Sequence, residues 1–177
     1  MRDLTIRRES IESRAALTLI SELNAELAHR YPEPGANHFR LDPVEVEPGR
    51  GAFLIARVEQ VPVACGAVRR NDPATAEIKR MYVLPKHRSK RIGWTLLERL
   101  EHIARELGVE RLVLETGERQ PESLSLYRKF GFAQIPLFGE YIDSPLSVCM
   151  EKHLRSQNPQ ERPVKSVRRG SPPASTR

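Results

Sequence analysis

The segment 85–94, PKHRSKRIGW, combines four positive charges and a histidine just ahead of a helix-like run. A turn that leads into a helix N-terminus can bind phosphate groups, because free backbone N–H groups and the helix dipole both point there. Such turns usually contain several glycines, whereas this one has only Gly93. The segment therefore predicts a phosphate-binding turn in which Ser89 and Arg91 stand where glycine is expected.

The elements around this turn predict where it lies in the fold. Residues 76–84 alternate like a strand that Pro85 ends, residues 93–108 carry a leucine-rich helical stripe that Gly108 ends, and residues 111–116 form another strand-like run. A strand–helix–strand unit is expected to be parallel and right-handed. The turn would then lie at the carboxyl end of the first strand, where open α/β sheets bind ligands.

The remaining patterns complete the predicted fold. In chain order they are a strand 4–9, a helix 10–30 with capping hydroxyls at Ser10 and Ser13, a long loop 31–50 with at most one helical turn, two strands 51–60 and 61–71 that meet at a tight turn near Gln60, a helix 121–131 before Gly131, and strands 132–136 and 144–154. The predicted class is α/β, with a mixed, mostly antiparallel sheet and one parallel crossover.

Composition divides the chain into two parts. The whole chain is 39% hydrophobic and 29% charged, which is typical of a globular protein, and residues 1–154 are predicted to form one domain. Residues 155–177 contain four prolines, and six Lys or Arg against one Glu, so they account for most of the net charge of +6. We expect this segment to be a disordered, solvated tail. Weak contact of the tail with RNA or an acidic partner is the alternative.

Several classes of protein find little support in the sequence. No stretch approaches the roughly 18 apolar residues of a membrane span, and the first residues lack the apolar core of a signal peptide. Cys65 and Cys149 lie in apolar runs, as reduced thiols of a cytoplasmic protein would, and the five histidines are scattered. We therefore expect a cytoplasmic protein without a metal or a membrane partner, do not favour nucleic acid, and leave a homodimer open.

Two stretches resemble a known family. IKRMYVLPKHRSKRIGWTLLERLEHIARELGVERLVLETG and QPESLSLYRKFGF are similar to the GNAT superfamily of acyl-CoA-dependent N-acyltransferases. The resemblance follows the element order from residue 4 to 153 and is sharpest over 76–132. The family's phosphate signature, Gln/Arg-x-x-Gly-x-Gly/Ala, aligns with residues 88–93, where Arg88 and Gly93 match and Arg91 replaces the central glycine.

The resemblance implies acetyl-CoA as co-substrate. Its pyrophosphate would lie on the N–H groups of residues 88–94 and its pantetheine along the strand 76–84, in a slot between that strand and 111–116. The implied cofactor-binding residues are Met81, Tyr82, Val83, Arg88, Ser89, Lys90, Arg91, Ile92, Gly93, Trp94 and Gln120.

The backbone at Arg91 has two possible conformations with different costs. A left-handed conformation would cost a non-glycine residue about 1–2 kcal/mol. A charge-assisted hydrogen bond from its side chain to a phosphate would return about 1.5–3 kcal/mol. A right-handed turn would need no such compensation.

The resemblance also implies residues for the chemistry. Tyr127 occupies the position of the family's general acid, and Glu77 matches a glutamate that acts as base through water, with Glu115 as second choice. Strict alternation would set Glu77 on one face with Lys79, Met81 and Val83. Ion pairing with Lys79 or Arg80 is the alternative role of either carboxylate. The N–H of Met81, at a strand bulge, would be the oxyanion donor.

The acceptor is less well defined. The loop 31–50 and residues 138–141 would flank its entrance, where Tyr31, His38, Phe138 and Tyr141 could line it and Glu33 or Glu140 could attract an amine. The implied reaction is acetyl transfer to a primary amine of a small molecule. Acetylation of peptides or proteins, a CoA-binding domain without catalysis, and a nucleic-acid-associated module that uses the tail remain alternatives.

Overall fold

Seven strands and three helices make up the parts of the chain that the computed structural model describes, residues 3–34 and 40–154. They are β1 (Leu4–Arg8), α1 (Arg14–Arg30), β2 (Gly51–Val58), β3 (Val61–Arg70), β4 (Thr75–Val83), α2 (Ile92–Glu106), β5 (Arg111–Gly117), α3 (Pro121–Lys129), β6 (Ala133–Ile135) and β7 (Ser147–His153). Short 3₁₀ turns span Pro43–Val46, Pro85–His87 and Gly139–Tyr141.

The strands form one sheet in the order β1-β2-β3-β4-β5-β7-β6. Neighbouring strands are antiparallel except β4 and β5, which run parallel and are joined through α2. The predicted mixed sheet with one parallel crossover is therefore confirmed. Pairing of Val58 with Val61 leaves the two-residue turn that was predicted near Gln60.

Each face of the sheet is covered by helices, and successive side chains of β2 pack alternately against the helices on the two faces. Ala52, Leu54 and Ala56 belong to the core cluster that contains α2 and α3 residues, whereas Phe53 and Ile55 belong to the cluster under α1. Burial of a large apolar side chain contributes about 1.5–3 kcal/mol. The alternating apolar residues of the central strands therefore hold the helices on both sides of the site.

The helix ends follow local hydrogen bonding. α1 begins at Arg14 rather than at residue 10, because residues 10–13 form a turn in which the Ser13 N–H donates to the Ser10 carbonyl at 3.0 Å. The Ser13 hydroxyl then accepts the Ala16 N–H at 3.2 Å, so only Ser13 caps the helix. Gly108 and Gly131, with φ of +76° and +99°, follow α2 and α3 in left-handed conformations, as their sequence positions predicted.

Several other expectations concern the chain as a whole. Cys65 and Cys149 are buried free thiols. Among residues 3–34 and 40–154, no helix is long and apolar enough to cross a membrane, and no three His, Cys, Asp or Glu side chains cluster as metal ligands would. The predicted tail, 155–177, lies outside the described residues, so the domain boundary at 154 stays a prediction.

Candidate active site

A slot opens where β4 and β5 separate. Their parallel pairing runs from Thr75–Arg111 to Ile78–Leu114 and ends there, although β4 continues to Val83 and β5 to Gly117. The predicted divergence of these two strands is thus confirmed. Among residues 3–34 and 40–154, no strand consequently pairs with the second half of β4 on the β5 side.

A β-bulge divides β4 at the point where the slot begins. Ala67 pairs with Lys79 and Cys65 with Tyr82, so two residues of β4, Arg80 and Met81, stand opposite Gly66. Arg80 has φ of +55°, a conformation that L-residues rarely adopt. The bulge lies where the resemblance implied one.

The bulge corrects one prediction about this strand. Glu77 and Lys79 lie on the face that α1 covers, but Met81 and Val83 pack against the core cluster that contains α2. A Cβ on Gly66 would come within 2.6 Å of the Met81 sulfur, which confirms that Met81 faces α2. The expectation that Glu77, Lys79, Met81 and Val83 share one face was wrong, because the extra residue shifts the alternation.

The cationic turn has two left-handed residues in the positions where glycine was expected. Ser89 and Arg91 both have φ of +61°, and Arg91 is the residue that precedes α2. The open question about Arg91 is therefore answered in favour of the left-handed conformation. Alternation of left-handed with other residues turns successive N–H groups toward one side, which is the geometry of an anion-binding nest.

The start of α2 adds further hydrogen-bond donors to this turn. The N–H of Thr95 donates to the Arg91 carbonyl at 3.0 Å and begins the helical hydrogen-bond pattern. Residues 92–94 precede that first bond, so their N–H groups have no acceptor within the helix. Gly93, between Ile92 and Trp94, has no side chain of its own to cover these donors.

A groove of about 630 Å³ runs from the second half of β4 across this turn to α3. It is lined by all the residues predicted to bind the cofactor except Lys90, which is exposed: Met81, Tyr82, Val83, Arg88, Ser89, Arg91, Ile92, Gly93, Trp94 and Gln120. Their common position in one groove is an observation. Their role in binding stays a prediction.

Arg88, which with Gly93 matches the family signature, is engaged within the protein. Its Nε donates to the Val83 carbonyl at 2.9 Å, its Nη2 donates to Glu26, and its guanidinium lies 5.6 Å from the centre of the Tyr82 ring. These contacts tie the turn to the end of β4 and to α1. Arg88 thereby helps to fix the shape of the groove.

Tyr127 lies where the groove meets a second, smaller cavity of about 90 Å³ in the slot. The side chain is only 5% exposed and its ring packs edge-on against Phe132, with 5.9 Å between ring centres. Burial, and secondarily the nearby charge of Glu115, raises the pKa of its hydroxyl. The group therefore keeps its proton at neutral pH, as a proton donor must.

Glu115 lines the smaller cavity beside Tyr127. One of its carboxylate oxygens accepts the Ser147 hydroxyl at 2.6 Å. Burial raises the pKa of Glu115 above its ordinary value, the negative charges of Glu77 and Glu140 act in the same direction, and the Ser147 bond and the charge of Lys79 oppose them. A carboxyl group in this setting binds a proton more readily than an exposed one.

Glu77 is 1% exposed and has hydrogen-bond donors at both oxygens. The Tyr141 hydroxyl donates to Oε1 at 2.6 Å, whereas Arg69 donates to Oε2 through Nε and Nη2 at 3.0 and 2.8 Å. Asn71 also donates to Oε2, at 3.3 Å, and Lys79 Nζ lies 3.8 Å from Oε1. Glu77 is thus the centre of a buried network, and its role as base stays a prediction.

The residues expected at the acceptor entrance lie in different settings. Phe138 packs edge-on against Tyr141 at 5.4 Å between ring centres, and Glu140 accepts Lys79 Nζ at 2.6 Å. Tyr31 is buried and accepts the Arg119 N–H at 2.8 Å, while Glu33 pairs with the Arg119 guanidinium. His38 lies outside the described residues.

Comparison with known proteins identifies the family. A model of the acetyltransferase (GNAT) family matches residues 17–132. An IAA acetyltransferase from Azospirillum brasilense is 43% identical over 155 residues, which are 87% of this chain and 100% of that protein. The chain belongs to the GNAT family of acetyltransferases.

Solved structures agree with the fold. A Klebsiella pneumoniae protein assigned to the acyl-CoA N-acyltransferases has a TM-score of 0.75 and 32% identity, and the alignment covers 86% of this chain and 98% of that one. A GNAT family acetyltransferase from Elizabethkingia anophelis, solved with acetyl-CoA bound, has a TM-score of 0.61 and 20% identity over 87% of this chain and 100% of that one. The fold implied by the sequence resemblance is confirmed.

Sequence reasoning missed the acidic side of this acetyltransferase's groove. Glu26 and Glu122 line it, Glu26 in contact with Arg88 of the cationic turn, and Arg30 contacts both carboxylates. Arg69 was missed as well, although it organises the network around Glu77. Glu26 and Arg30 share the i, i+4 spacing of a helix, but nothing local indicates that they line a groove, because Glu122 and the partners of Arg69 come from other elements.

Proposed function

We propose that this GNAT acetyltransferase moves the acetyl group of acetyl-CoA to a primary amine of a small molecule by direct transfer. The observation that carries the proposal is the position of Tyr127, where a groove that leads to a cationic helix N-terminus meets a small buried cavity in the slot. The groove offers room for a long ligand, and the cavity offers room for a small reacting group.

The groove fits an anionic, strand-like ligand. The N–H groups of residues 92–94 and the left-handed residues Ser89 and Arg91 form a phosphate-sized cradle, and the free edge of β4 offers backbone hydrogen bonds to an extended chain. Acetyl-CoA, when bound, supplies the acetyl thioester. Met81, at the bulge, supplies the backbone N–H that we propose as donor to the thioester oxygen.

Proton transfer is assigned to two side chains. Glu115 takes a proton from the acceptor's ammonium group, so that the amine nitrogen can bond to the acetyl carbon. The Tyr127 hydroxyl protonates the sulfur as the carbon–sulfur bond breaks. The nitrogen then loses a second proton, which replaces the one that Tyr127 gave to sulfur. The proton that Glu115 took is released to solvent, so each turnover releases one proton.

We prefer Glu115 to Glu77 as the base, although the sequence favoured Glu77. Glu115 lines the cavity and has a raised pKa, whereas each Glu77 oxygen already accepts a hydrogen bond from Tyr141 or Arg69. Glu115 is also the carboxylate that lines the cavity, whereas Glu77 lies behind it with both oxygens bound by donors of the protein.

A thiol-release assay with acetyl-CoA and a panel of amines tests the function. Thiol release that depends on the amine, together with a mass gain of one acetyl group on the product, would support it. Glu115→Gln should remove the acidic limb of the pH–rate profile, while Glu77→Gln should keep that limb in whatever protein remains folded. Acetyl-CoA binding without thiol release for any amine would leave only a CoA-binding domain.

A further inference from the structure

Two serine hydroxyls form a chain that ends on Glu115. The Ser147 hydroxyl lies 2.6 Å from Glu115 Oε1 and 2.8 Å from the Ser144 hydroxyl. We propose, on the basis of the function proposed above, that Ser147 and Ser144 transfer to solvent the proton that Glu115 takes from the acceptor. Both serines act through Glu115 and are therefore positioning residues rather than groups that touch the substrate.

The direction of the two hydrogen bonds follows from the number of protons. A serine hydroxyl has one proton to donate and two lone pairs that accept. Because an ionised carboxylate can only accept, Ser147 donates to Glu115, and Ser144 must then donate to the Ser147 oxygen. With Glu115 ionised, both hydroxyl protons therefore point toward the carboxylate.

The turn between the two serines holds both hydroxyls in place. Residues 144–147, SPLS, form a turn that the Ser147 N–H closes by donating to the Ser144 carbonyl at 3.1 Å. Serine at the first position and proline at the second are favoured in such turns. Ser147 begins β7, where it pairs with Gly117, two residues beyond Glu115 on the same face of β5. The turn and the strand register thus bring the Ser147 hydroxyl to the carboxylate.

The chain of hydroxyls leads from a covered position toward the surface. Tyr31 is buried, and a Cβ on Gly117 would overlap its hydroxyl, so Tyr31 covers β5 next to Glu115. Ser144, in contrast, is partly exposed and lies between exposed neighbours. While an acceptor fills the cavity, the two serines offer Glu115 a path to water that does not cross the cavity.

The protons balance along this path. Once Oε1 of Glu115 carries the proton, both hydroxyls rotate so that each donates outward. Glu115 then gives its proton to Ser147, Ser147 gives its own to Ser144, and Ser144 gives its own to water. Each serine oxygen loses one O–H bond and gains another, Glu115 is left ionised, and water gains one proton. The hydroxyl protons then point toward Glu115 again, so the starting arrangement is restored.

The bond from Ser147 also affects how readily Glu115 ionises. Burial is the largest influence on the pKa of Glu115 and raises it, whereas the Ser147 bond lowers it. The other titratable groups that act on Glu115 or line its cavity come from several elements: Glu77, Lys79 and Arg80 of β4, Glu140 and Tyr141 of the 3₁₀ turn, Tyr127 of α3, Tyr31 after α1 and Cys149 of β7. A serine substitution leaves all of them in place.

Two alanine variants test the two serines separately. Ser147→Ala removes the bond to Glu115, so the acidic limb of the pH–rate profile should move about one pH unit toward higher pH. Its kcat should fall about 10-fold, because the proton must wait until the product leaves the cavity. Ser144→Ala breaks only the outer bond, so kcat should fall by a similar factor while the limb stays in place. Ser147→Thr keeps the hydroxyl and should match the parent in both.

A small base tests whether release of the proton has become the slow step. Imidazole should raise kcat of both alanine variants in proportion to its concentration and should not change kcat of the parent. Ser21→Ala, at an exposed position of α1, is the control and should match the parent. Infrared titration of the Glu115 carboxyl band, assigned with Glu115→Gln, should show the raised pKa of Ser147→Ala without any substrate.

Other outcomes would overturn the inference. Unchanged kcat in either alanine variant would refute the proton path but leave acetyl transfer by the parent intact. A lowered kcat that imidazole does not raise would assign the serines a structural role only. An acidic limb that persists in Glu115→Gln would refute Glu115 as the base, and the path with it. Absence of amine-dependent thiol release in the parent would refute the proposed function itself.

Discussion

The groove and the small cavity meet at Tyr127 but differ in the groups that line them. The groove presents backbone N–H groups and lies on a turn whose cations Lys86, Lys90 and Arg91 are exposed. The cavity is lined by Lys79, whose charge belongs to a network with Arg69, buried Glu77 and the more exposed Glu140. Substitutions at the groove should therefore act mainly on binding, whereas substitutions in the buried network should strongly destabilise the protein.

The largest effect is expected from breaking the buried network. Glu77→Gln leaves Arg69 and Lys79 without their buried charge partner, and loss of one member of a buried ion pair costs about 3–5 kcal/mol. Urea denaturation measures the loss in the free energy of unfolding. Glu106→Gln, in a pair with Arg8 whose side chains are 52% and 48% exposed, is the control and should cost about 0–1 kcal/mol. Similar losses in the two variants would mean that the network does not act as a buried unit.

The next effect concerns the residue shared by both regions. Tyr127→Phe should lower kcat by about 10²-fold, within the range for one proton-transfer group. Affinity for acetyl-CoA, measured by titration calorimetry, should change little, because the ring and its packing against Phe132 remain. A large fall in affinity with unchanged kcat would assign Tyr127 to the groove alone.

A matched pair of glycine variants examines the groove. Ser89→Gly and Arg91→Gly each relieve a left-handed non-glycine residue, which should stabilise the folded protein by about 1 kcal/mol after the entropy of glycine is subtracted. Arg91→Gly should also weaken acetyl-CoA binding and flatten its salt dependence, because it alone removes a charge. Tighter binding by Arg91→Gly at every salt concentration would show that Arg91 harms the cradle.

The smallest effect is a pH dependence of stability. The pKa of Glu115 is raised by burial, so the group favours the folded state below its unfolded pKa and loses that contribution as pH rises through the folded pKa. Glu115→Gln should therefore be more stable than the parent at pH 8, with a difference that shrinks toward pH 4 in thermal melts.

Glu101 provides a control of opposite sign for this measurement. Burial opposes its ionisation, but bonds from Lys152 and Arg105 outweigh that effect and lower its pKa. Its contribution is present above the unfolded pKa and is lost as pH falls through the folded one. Glu101→Gln should thus be less stable than the parent at pH 8. The same sign for both variants would contradict the electrostatic origin of the effect.

The sequence predicted the groove better than the cavity, for a physical reason. Pro85, Gly93, Gly108 and the leucine stripe of α2 are local signals, and they give the strand, turn and helix that form the groove. The bulge in β4 contains no glycine or proline, so the alternation of residue types predicted a regular strand through this position. The cavity network joins residues as far apart as Arg69 and Glu140, and one sequence contains no signal for such pairs.

Because of the bulge at Arg80, the side chains that β4 presents to each face of the sheet depend on the exact number of residues in the strand. Because one extra residue separates the two halves of the strand, Glu77 and Lys79 can face α1 while Met81 and Val83 face α2. A deletion of one residue here would restore simple alternation and turn one half of the strand over. Either two charged side chains would enter the apolar layer under α2, or Met81 and Val83 would leave it. A substitution at position 80 therefore leaves the two faces of β4 as they are. A deletion there would instead change which side chains face α1 and which face α2.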